Sequence, residues 1–480
     1  MLGRGKIVFI GRKPELAAIT ALTQKKTASL VVCKGRRRIG KSALAAEFGK
    51  TQKKFISFQG LSPRPGQTNQ DQLDHFVEEL VRQTNIPRMS VKTWTDAFDA
   101  LAITLKNQRS LVLLDEISWM GAHDPDFAGR LKISWDVKLS RFSKLIVLVC
   151  GSVSSWIEEN ILNSADFVGR LSATIDLGEL NLRESSQLMD PQSRMRATDK
   201  IKMLSVTGGV PRYLEEVNSK LTAEQNIKML CFEPQGFLLH EFDRIFNDIF
   251  GRRSKKYRAI IRLLLKGHLS TQEICAKLKV EQNGSISRYL TDIEHSGFIA
   301  RDYSHILGSK TPAKLSRYRI SDNYLRFYLR YIEPEKSKIA GKLYQNTHLG
   351  SLTQWNTIMG LQVENLILAN LVDIVSALKL DPNMIVAAGP YFQTKSAKTK
   401  GACQIDLLIE LKNGLAYACE VKFREKIGKS IVDEVKKKIE FLRKPRNFSV
   451  RPVLIYHGQL EDEDYFQDYF DALISIEDLF

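Results

Sequence analysis

Gly35-Arg36-Arg37-Arg38-Ile39-Gly40-Lys41-Ser42 decides how the first half of this chain is read. It follows the β-branched run 29–33, Ser-Leu-Val-Val-Cys, and opens a helix-forming segment near Lys41. A loop of the form G-x-x-x-x-G-K-[ST] between a buried strand and a helix is a phosphate-binding device. Glycine lets the loop curl so that successive backbone N–H groups face an anion, and the helix N-terminus adds positive potential. On this reading Lys41 reaches the β- and γ-phosphates and Ser42 ligates Mg²⁺, while Gly35, Arg38, Ile39, Gly40 and Ala43 line the nucleotide.

The next signal outward is Leu111-Val112-Leu113-Leu114-Asp115-Glu116, an apolar run closed by two acids. With the runs 29–33, 53–58 and 144–150, and helical segments between them, it predicts strand–helix–strand units and a parallel sheet, the α/β class. A parallel strand delivers its last residues to the same sheet edge as the phosphate loop. Asp115 is thereby placed to orient Mg²⁺ and Glu116 to activate the attacking water. The alternative is a strand that simply ends in two acids.

These motifs resemble the AAA+ superfamily of P-loop ATPases. Phe9-Ile10-Gly11-Arg12-Lys13-Pro14-Glu15-Leu16 resembles that group's N-terminal box, which implies Gly11 and Arg12 near the adenine. Gly151-Ser152 ends the run 144–150 where the superfamily places a polar first sensor, so the resemblance assigns γ-phosphate sensing to Ser152. Gly208-Gly209-Val210-Pro211-Arg212 resembles the element behind the nucleotide, implying Pro211 there and Arg212 as a second sensor. Phe167-Val168-Gly169-Arg170, just before the strand-like 173–177, resembles the position of an arginine acting on a neighbouring subunit's nucleotide, which implies a homo-oligomer. For both arginines a plain surface charge is the alternative. The combination resembles most the archaeal-type ATPase family, found in prokaryotes generally, that joins an AAA+ domain to a restriction-endonuclease-like C-terminus. The resemblance implies ATP and Mg²⁺ as ligands.

At about 100–200 residues per domain, 480 residues allow several domains, each able to bury its own core. A composition of 43% apolar and 26% charged residues excludes collagen-like, mucin-like and wholly disordered chains. Lys and Arg number 71 against 54 Asp and Glu, a net charge of +17 that favours a polyanionic partner, usually nucleic acid such as DNA, with a lipid surface or plain solubility as the alternatives. Cys33, Cys150, Cys231, Cys275, Cys403 and Cys419 lie far apart in or beside apolar runs, as reduced core residues do. No stretch approaches the roughly 20 apolar residues that span a bilayer, and residues 1–10 carry no secretory pattern, so a cytoplasmic protein without a membrane partner is expected.

The pattern changes along the chain, giving an expected ATPase domain over 1–235, a basic helical domain over 236–332 and a second α/β domain over 333–480. The charge run Gly251-Arg252-Arg253-Ser254-Lys255-Lys256 and the polar break 333–338 mark weak junctions. In the middle, Tyr257, Ile260, Ile261, Leu264 and Leu265 form one helical stripe, Ser270-Thr271-Gln272-Glu273 is a capping box, and 285–296 is a third helix closed by Gly297. Residues 298–300 and 318–320 can pair as two strands, which describes a winged helix-turn-helix. Ser285, Ser287, Arg288 and Thr291 then line an exposed reading face shared with an unhelpful Asp292, and Lys310, Lys314 and Arg317 fall in the wing loop to meet phosphates. A winged helix that only packs against protein is the alternative.

Residues 384–457 read as strand 384–388, strand 404–411, a Lys412-Asn413-Gly414 turn, strand 415–423, helix 430–442 and strand 450–456, after a helix near 361–371. This order resembles the core of restriction-endonuclease-like folds, and Asp406 with Glu420-Val421-Lys422 resembles a PD-(D/E)xK nuclease site. Residues i and i+2 of a strand share a face, so Glu420 and Lys422 project together while the hairpin brings Asp406 alongside. Two carboxylates there can hold Mg²⁺ or Mn²⁺, and the lysine can position a nucleophile or stabilise charge. Glu364 resembles the extra acid contributed by the preceding helix. A structural salt bridge from Lys422 to Asp406 or Glu420 is the competing reading. On the helix that follows, Lys429, Lys436, Lys437 and Lys438 sit opposite Ile431, Val435 and Ile439, as a solvated face or a contact to backbone phosphates. The reading as a whole is a Mg²⁺-dependent ATPase that binds DNA and couples nucleotide state to a nuclease-like domain, or else an ATP-switched regulator whose nuclease fold is inactive.

Overall fold

The computed structural model describes residues 9–152, 155–250, 254–309, 315–344, 347–394 and 401–480. The chain divides into two compact units, Met1–Gly178 and Glu179–Phe480.

In the first unit, strands β1 (Ser29–Gly35), β2 (Lys54–Gln59), β3 (Ser110–Asp115), β4 (Leu145–Ser152) and β5 (Leu171–Asp176) form one sheet. Their spatial order is β2-β3-β4-β1-β5 and every pairing is parallel, as the strand–helix–strand pattern requires. Side chains alternate between two cores. Leu30, Val32, Val112, Leu114, Val147 and Val149 enter one, while Val31, Cys33, Leu111, Leu113, Ile146 and Leu148 enter the other. Both faces are covered by helices, which is why these runs are continuously apolar rather than alternating. The helices Asn69–Thr84 and Trp94–Thr104 start at capping boxes on Thr68 and Thr93.

The second unit starts inside the span expected for the ATPase domain, and the expected junctions at 235 and 332 both fall within it. One apolar core runs from Leu180 to Leu479 through all its parts. Helices Leu182–Met189, Ala197–Thr207, Pro211–Leu214, Ala223–Cys231 and Phe237–Phe250 come first. Helices Ser254–Leu263, Thr271–Leu278 and Gly284–His295 follow, then the antiparallel pair β6 (Ile299–Tyr303) and β7 (Ser316–Ile320). The helical stripe is inward as expected, with Tyr257, Ile260, Ile261 and Leu264 buried. After the helix Trp355–Ala369 comes a second sheet of β8 (Ile385–Gln393), β9 (Cys403–Leu411), β10 (Leu415–Ile427), β11 (Ser449–Leu460) and β12 (Ala472–Ser475), in the order β12-β11-β10-β9-β8. β9 runs antiparallel to both β8 and β10; the helix Ser430–Phe441 crosses over so that β10, β11 and β12 are parallel. The short β12 was not foreseen.

All six cysteines are buried and free. Among the described residues no single helix is long and apolar enough to cross a membrane. Residues 251–253 of the charge run, and Lys310 and Lys314 of the expected wing loop, lie outside the described residues.

Candidate functional site

The phosphate loop leaves β1 at Gly35, where a Cβ would stand 2.5 Å from the Leu177 carbonyl oxygen, so only glycine fits. Arg38 at φ 70° and Gly40 at φ 96° turn the loop back on itself before the helix Lys41–Gly49. Arg12 braces this curl from outside. Its buried guanidinium donates to the Ile39 carbonyl at 3.1 Å and to the Gly178 carbonyl at 2.7 Å. The resemblance put Arg12 beside the adenine; in the structure its fork holds loop backbone.

Lys41 is buried, and its Nζ donates to the carbonyls of Gly35 at 2.8 Å and Arg36 at 3.1 Å. Burial lowers its pKa, opposed by the charges of Glu116 and Asp115. Ser42 Oγ donates to Asp115 Oδ2 at 2.5 Å. Asp115 Oδ1 accepts from the Glu116 backbone N–H at 3.0 Å, which fixes its other oxygen toward Ser42. A hydroxyl and a carboxylate side by side at a helix N-terminus are hard oxygen donors, and they fit Mg²⁺.

Glu116 adopts φ 50°, turning its side chain out of the strand at the sheet edge. Its carboxylate accepts from Ser152 Oγ at 3.2 Å and lies 3.9 Å from the Arg37 guanidinium, which also covers the Trp119 ring at 4.8 Å. The structure thus brings Lys41, Ser42, Asp115, Glu116 and Ser152 to one sheet edge. Arg37 belongs to this group and was read only as a filler of the motif; a cation three positions before the second glycine is no signal by itself.

Arg170 precedes β5 and is clamped by Asp136, Nε to Oδ1 at 2.7 Å and Nη2 to Oδ2 at 2.9 Å. That pair holds the Asp136 carboxyl below its ordinary range. Pro211 opens the short helix Pro211–Leu214, and Arg212 there pairs with Glu215 at 3.1 Å and Glu216 at 2.5 Å and covers the Phe237 ring at 4.7 Å.

In the second unit, Glu420 on β10 is 3% exposed, and its carboxylate is taken by two lysines. Lys422 Nζ donates to Oε1 at 2.6 Å, and Lys438 Nζ donates to Oε1 at 2.8 Å and to Oε2 at 2.7 Å. Glu434 lies 3.3 Å from both lysines. Asp406 accepts the Val421 backbone N–H at 2.9 Å on the neighbouring strand. Burial, with the charges of Glu420 and Glu364 added, pushes the Asp406 carboxyl well above the carboxylate range. Burial also raises Glu364, opposed by Arg326. Arg326 is 1% exposed and donates to the Ile320 carbonyl at 2.8 Å; burial pulls its pKa down to about 9.

So Asp406, Glu420, Lys422 and Glu364 are electrostatic neighbours, as expected. They do not form a ready metal cage: among the described residues no three His, Cys, Asp or Glu side chains are arranged to hold a metal ion. The salt bridge to Glu420 is present, and Lys438 joins it. Lys438 was read on a solvated face, yet Ile431, Val435, Lys438 and Leu442 follow i, i+4, i+7, i+11 spacing, so it occupies a position of the buried stripe.

Ser285, Ser287, Arg288 and Thr291 are exposed on the helix Gly284–His295. Asp292 departs from that face and accepts the Tyr257 hydroxyl at 2.6 Å. Arg317 lies in β7 rather than a loop, 3.5 Å from Glu273 and over the Phe392 ring, because β7 begins one residue before it.

A family profile described as an ATPase domain predominantly from Archaea matches residues 9–217. An uncharacterized protein of Methanocaldococcus jannaschii is 21% identical over 375 residues, 78% of this chain and 79% of that protein. Among solved structures, the Walker-type ATPase of Pyrococcus abyssi aligns at TM-score 0.49 and 14% identity, over 67% of this chain and 96% of that one. The ORC2 protein of Aeropyrum pernix aligns at TM-score 0.44 and 15% identity, over 72% and 98%. Residues 9–217, the stretch that matches this archaeal ATPase-domain profile, carry the phosphate loop and the acid pair.

Proposed function

We propose that this chain hydrolyses ATP, binds DNA, and couples its nucleotide state to a nuclease-like domain, with working modules at 1–235, 236–332 and 333–480. The observation that carries the ATPase part is the hydrogen bond between Ser42 and Asp115, with Lys41 curled in the loop beside it. Loop N–H groups and Lys41 receive the phosphates, Glu116 takes a proton from the attacking water, and Ser152 holds the Glu116 carboxylate in place. Ser42 and Asp115 would hold Mg²⁺, which would supply neutralisation of the phosphate charge. Gly11, Arg12, Arg38, Ile39 and Ala43 shape the pocket, and Pro211 and Arg212 are assigned to the nucleotide by the family resemblance. Arg170 acts on a neighbouring copy.

For DNA, the support is the net charge of +17 and the exposed Ser285, Ser287, Arg288 and Thr291 on one helix. The pairing of Glu420 with two lysines favours a second reading of the C-terminal part, a nuclease fold held inactive while the ATPase acts as a switch on DNA or protein. One assay decides between them: plasmid and linear DNA with Mg²⁺ or Mn²⁺, comparing the parent with Asp406→Ala and Lys422→Ala. Cutting by the parent that both variants lose supports cleavage. Cutting retained by both rejects the assignment, and DNA binding absent even at low salt rejects the DNA partner.

A further inference from the structure

Resting on the reading of the first unit as an ATPase, we propose that Arg37 is an ATP-sensing cation supplied in cis. It holds the Glu116 carboxylate while no triphosphate is bound, and passes to the γ-phosphate when ATP enters, releasing Glu116 to act as base.

Arg37 is the middle one of three arginines in the phosphate loop, and the fold gives it a built seat. Its guanidinium lies 3.9 Å from Glu116 Oε1 and over the Trp119 ring at 4.8 Å. The two charged side chains are only 16% and 14% exposed, so bulk salt screens the pair little. Trp119 and Glu116 share one turn, in which the Trp119 N–H donates to the Glu116 carbonyl at 2.8 Å. Gly60, just past β2, backs that turn: a Cβ there would stand 2.7 Å from the Glu116 carbonyl oxygen and 3.0 Å from Trp119 Cβ. A ring fixed in this way sets the guanidinium stacked on it beside the carboxylate.

Glu116 is thus held by a neutral hydroxyl, Ser152 Oγ at 3.2 Å, and by a cation that can leave. At 3.9 Å the cation makes an ion pair without a hydrogen bond, so its departure breaks no strong bond. A terminal phosphate offers a guanidinium paired, charge-assisted hydrogen bonds instead. Lys41 is stowed in a similar way, with Nζ on the Gly35 and Arg36 carbonyls of the same loop. A ligand shifts such a balance only by preferring one of the two states. ATP has that preference through its γ-phosphate, and ADP lacks the group. In the step itself Glu116 takes the proton of the attacking water, the water oxygen bonds to the γ-phosphorus, and the bond to the ADP oxygen breaks. Arg37 faces the negative charge on the phosphoryl oxygens meanwhile. Its planar group can turn its N–H groups to phosphate while still covering Trp119, which a lysine cannot do.

The test uses the full-length chain with Mg²⁺, ADP, and an ATP analogue whose β- and γ-phosphorus atoms are joined by an imido group. Arg37→Ala and Arg37→Gln should each lower kcat by about 10²-fold or more. Both should weaken the analogue by about tenfold and ADP by less than about twofold, whereas a merely structural arginine predicts equal weakening of the two. Arg37→Lys should recover only part of the analogue preference. Trp119 emission should change with the analogue and not with ADP, and that change should be absent from Arg37→Gln and from Trp119→Phe. Parent-like kcat in Arg37→Gln, equal weakening of ADP and analogue, or the same emission change with both nucleotides overturns the role of Arg37 and leaves the ATPase standing. No ATP turnover by the parent, with nucleotide binding unchanged in Lys41→Ala, overturns the ATPase reading and this inference with it.

Discussion

Ser42 and Asp115, 73 residues apart in the chain, are joined by a 2.5 Å hydrogen bond from hydroxyl to carboxylate. The bond ties the helix after the phosphate loop to the end of β3, although β4 lies between β1 and β3 in the sheet. Either motif alone is a short string; the sheet makes them one site.

Lys41→Ala should abolish nucleotide binding, because it removes the buried cation of the loop. Glu116→Gln should bind nucleotide like the parent and lower kcat by about 10²–10⁴-fold, the usual loss on removing a general base. Fluorescent-nucleotide titration and phosphate release measure the two effects. Similar turnover in both variants would overturn the roles assigned.

Arg12→Ala should leave the Ile39 and Gly178 carbonyls without their donor and destabilise the first unit by about 1–3 kcal/mol. Nucleotide affinity should fall more than kcat, since the loop is loosened but Glu116 is untouched. A purely adenine-contacting Arg12 predicts lower affinity with unchanged denaturation, and urea titration tells the two apart.

Arg319 donates to Asp302 at 2.8 Å and to Asn365 at 2.5 Å, all three largely buried. Burial opposes the Asp302 charge, but His268 and Arg319 outweigh it and hold the carboxyl below its ordinary range. Arg319→Ala leaves that charge unpaired and should cost about 3–5 kcal/mol. The more exposed pairs of Arg212 should be worth only about 0–1 kcal/mol when removed. Equal denaturation midpoints for the two variants would contradict this ranking.

His268, His305 and His457 are each buried enough to have their pKa lowered by desolvation, against the opposing pull of Asp302, Glu410 and Glu477. Their folded forms therefore bind protons less readily than the unfolded chain. The stability they permit is full above the ordinary histidine value of about 6.5 and is lost as pH falls from there toward the folded values. Urea midpoints at pH 7.5 and pH 5.5 should show a less stable second unit at the lower pH; an equal or higher midpoint at pH 5.5 would count against it.

Arg170 sits bidentate on Asp136 at the surface. If it serves a neighbouring copy, ATP turnover per chain should rise with protein concentration in the parent and stay flat and low in Arg170→Ala. Mixing that variant with Lys41→Ala chains should restore part of the activity, because the intact Lys41 site of one chain then meets the intact Arg170 of the other. Turnover independent of concentration in the parent would remove the in-trans role.

The five strands of the first sheet were legible to within one or two residues, because buried parallel strands are unbroken apolar runs and helices between them carry a different period. The hairpin through Asn413 and Gly414 was legible for a similar reason, with Gly414 at φ 77° where a side chain is strained. Lys438 was not, because a run of lysines reads as solvated unless the stripe position is followed, and Glu434 carries no pattern of its own. The short β12 was missed because four residues give no period to detect.

The linear chain determined the local chemistry: a glycine-bounded loop with Lys41 and Ser42, an apolar strand ending in Asp115 and Glu116, and a hairpin that sets Asp406 near Glu420. These follow from backbone geometry over a few residues, where side-chain period and glycine freedom suffice. Tertiary packing alone decided which charges meet. It put Arg12 on the loop backbone, Ser152 on Glu116, Asp292 on Tyr257 and Lys438 on Glu420, because the cost of a buried charge is met by whichever partner the fold brings within about 3 Å, however distant in sequence.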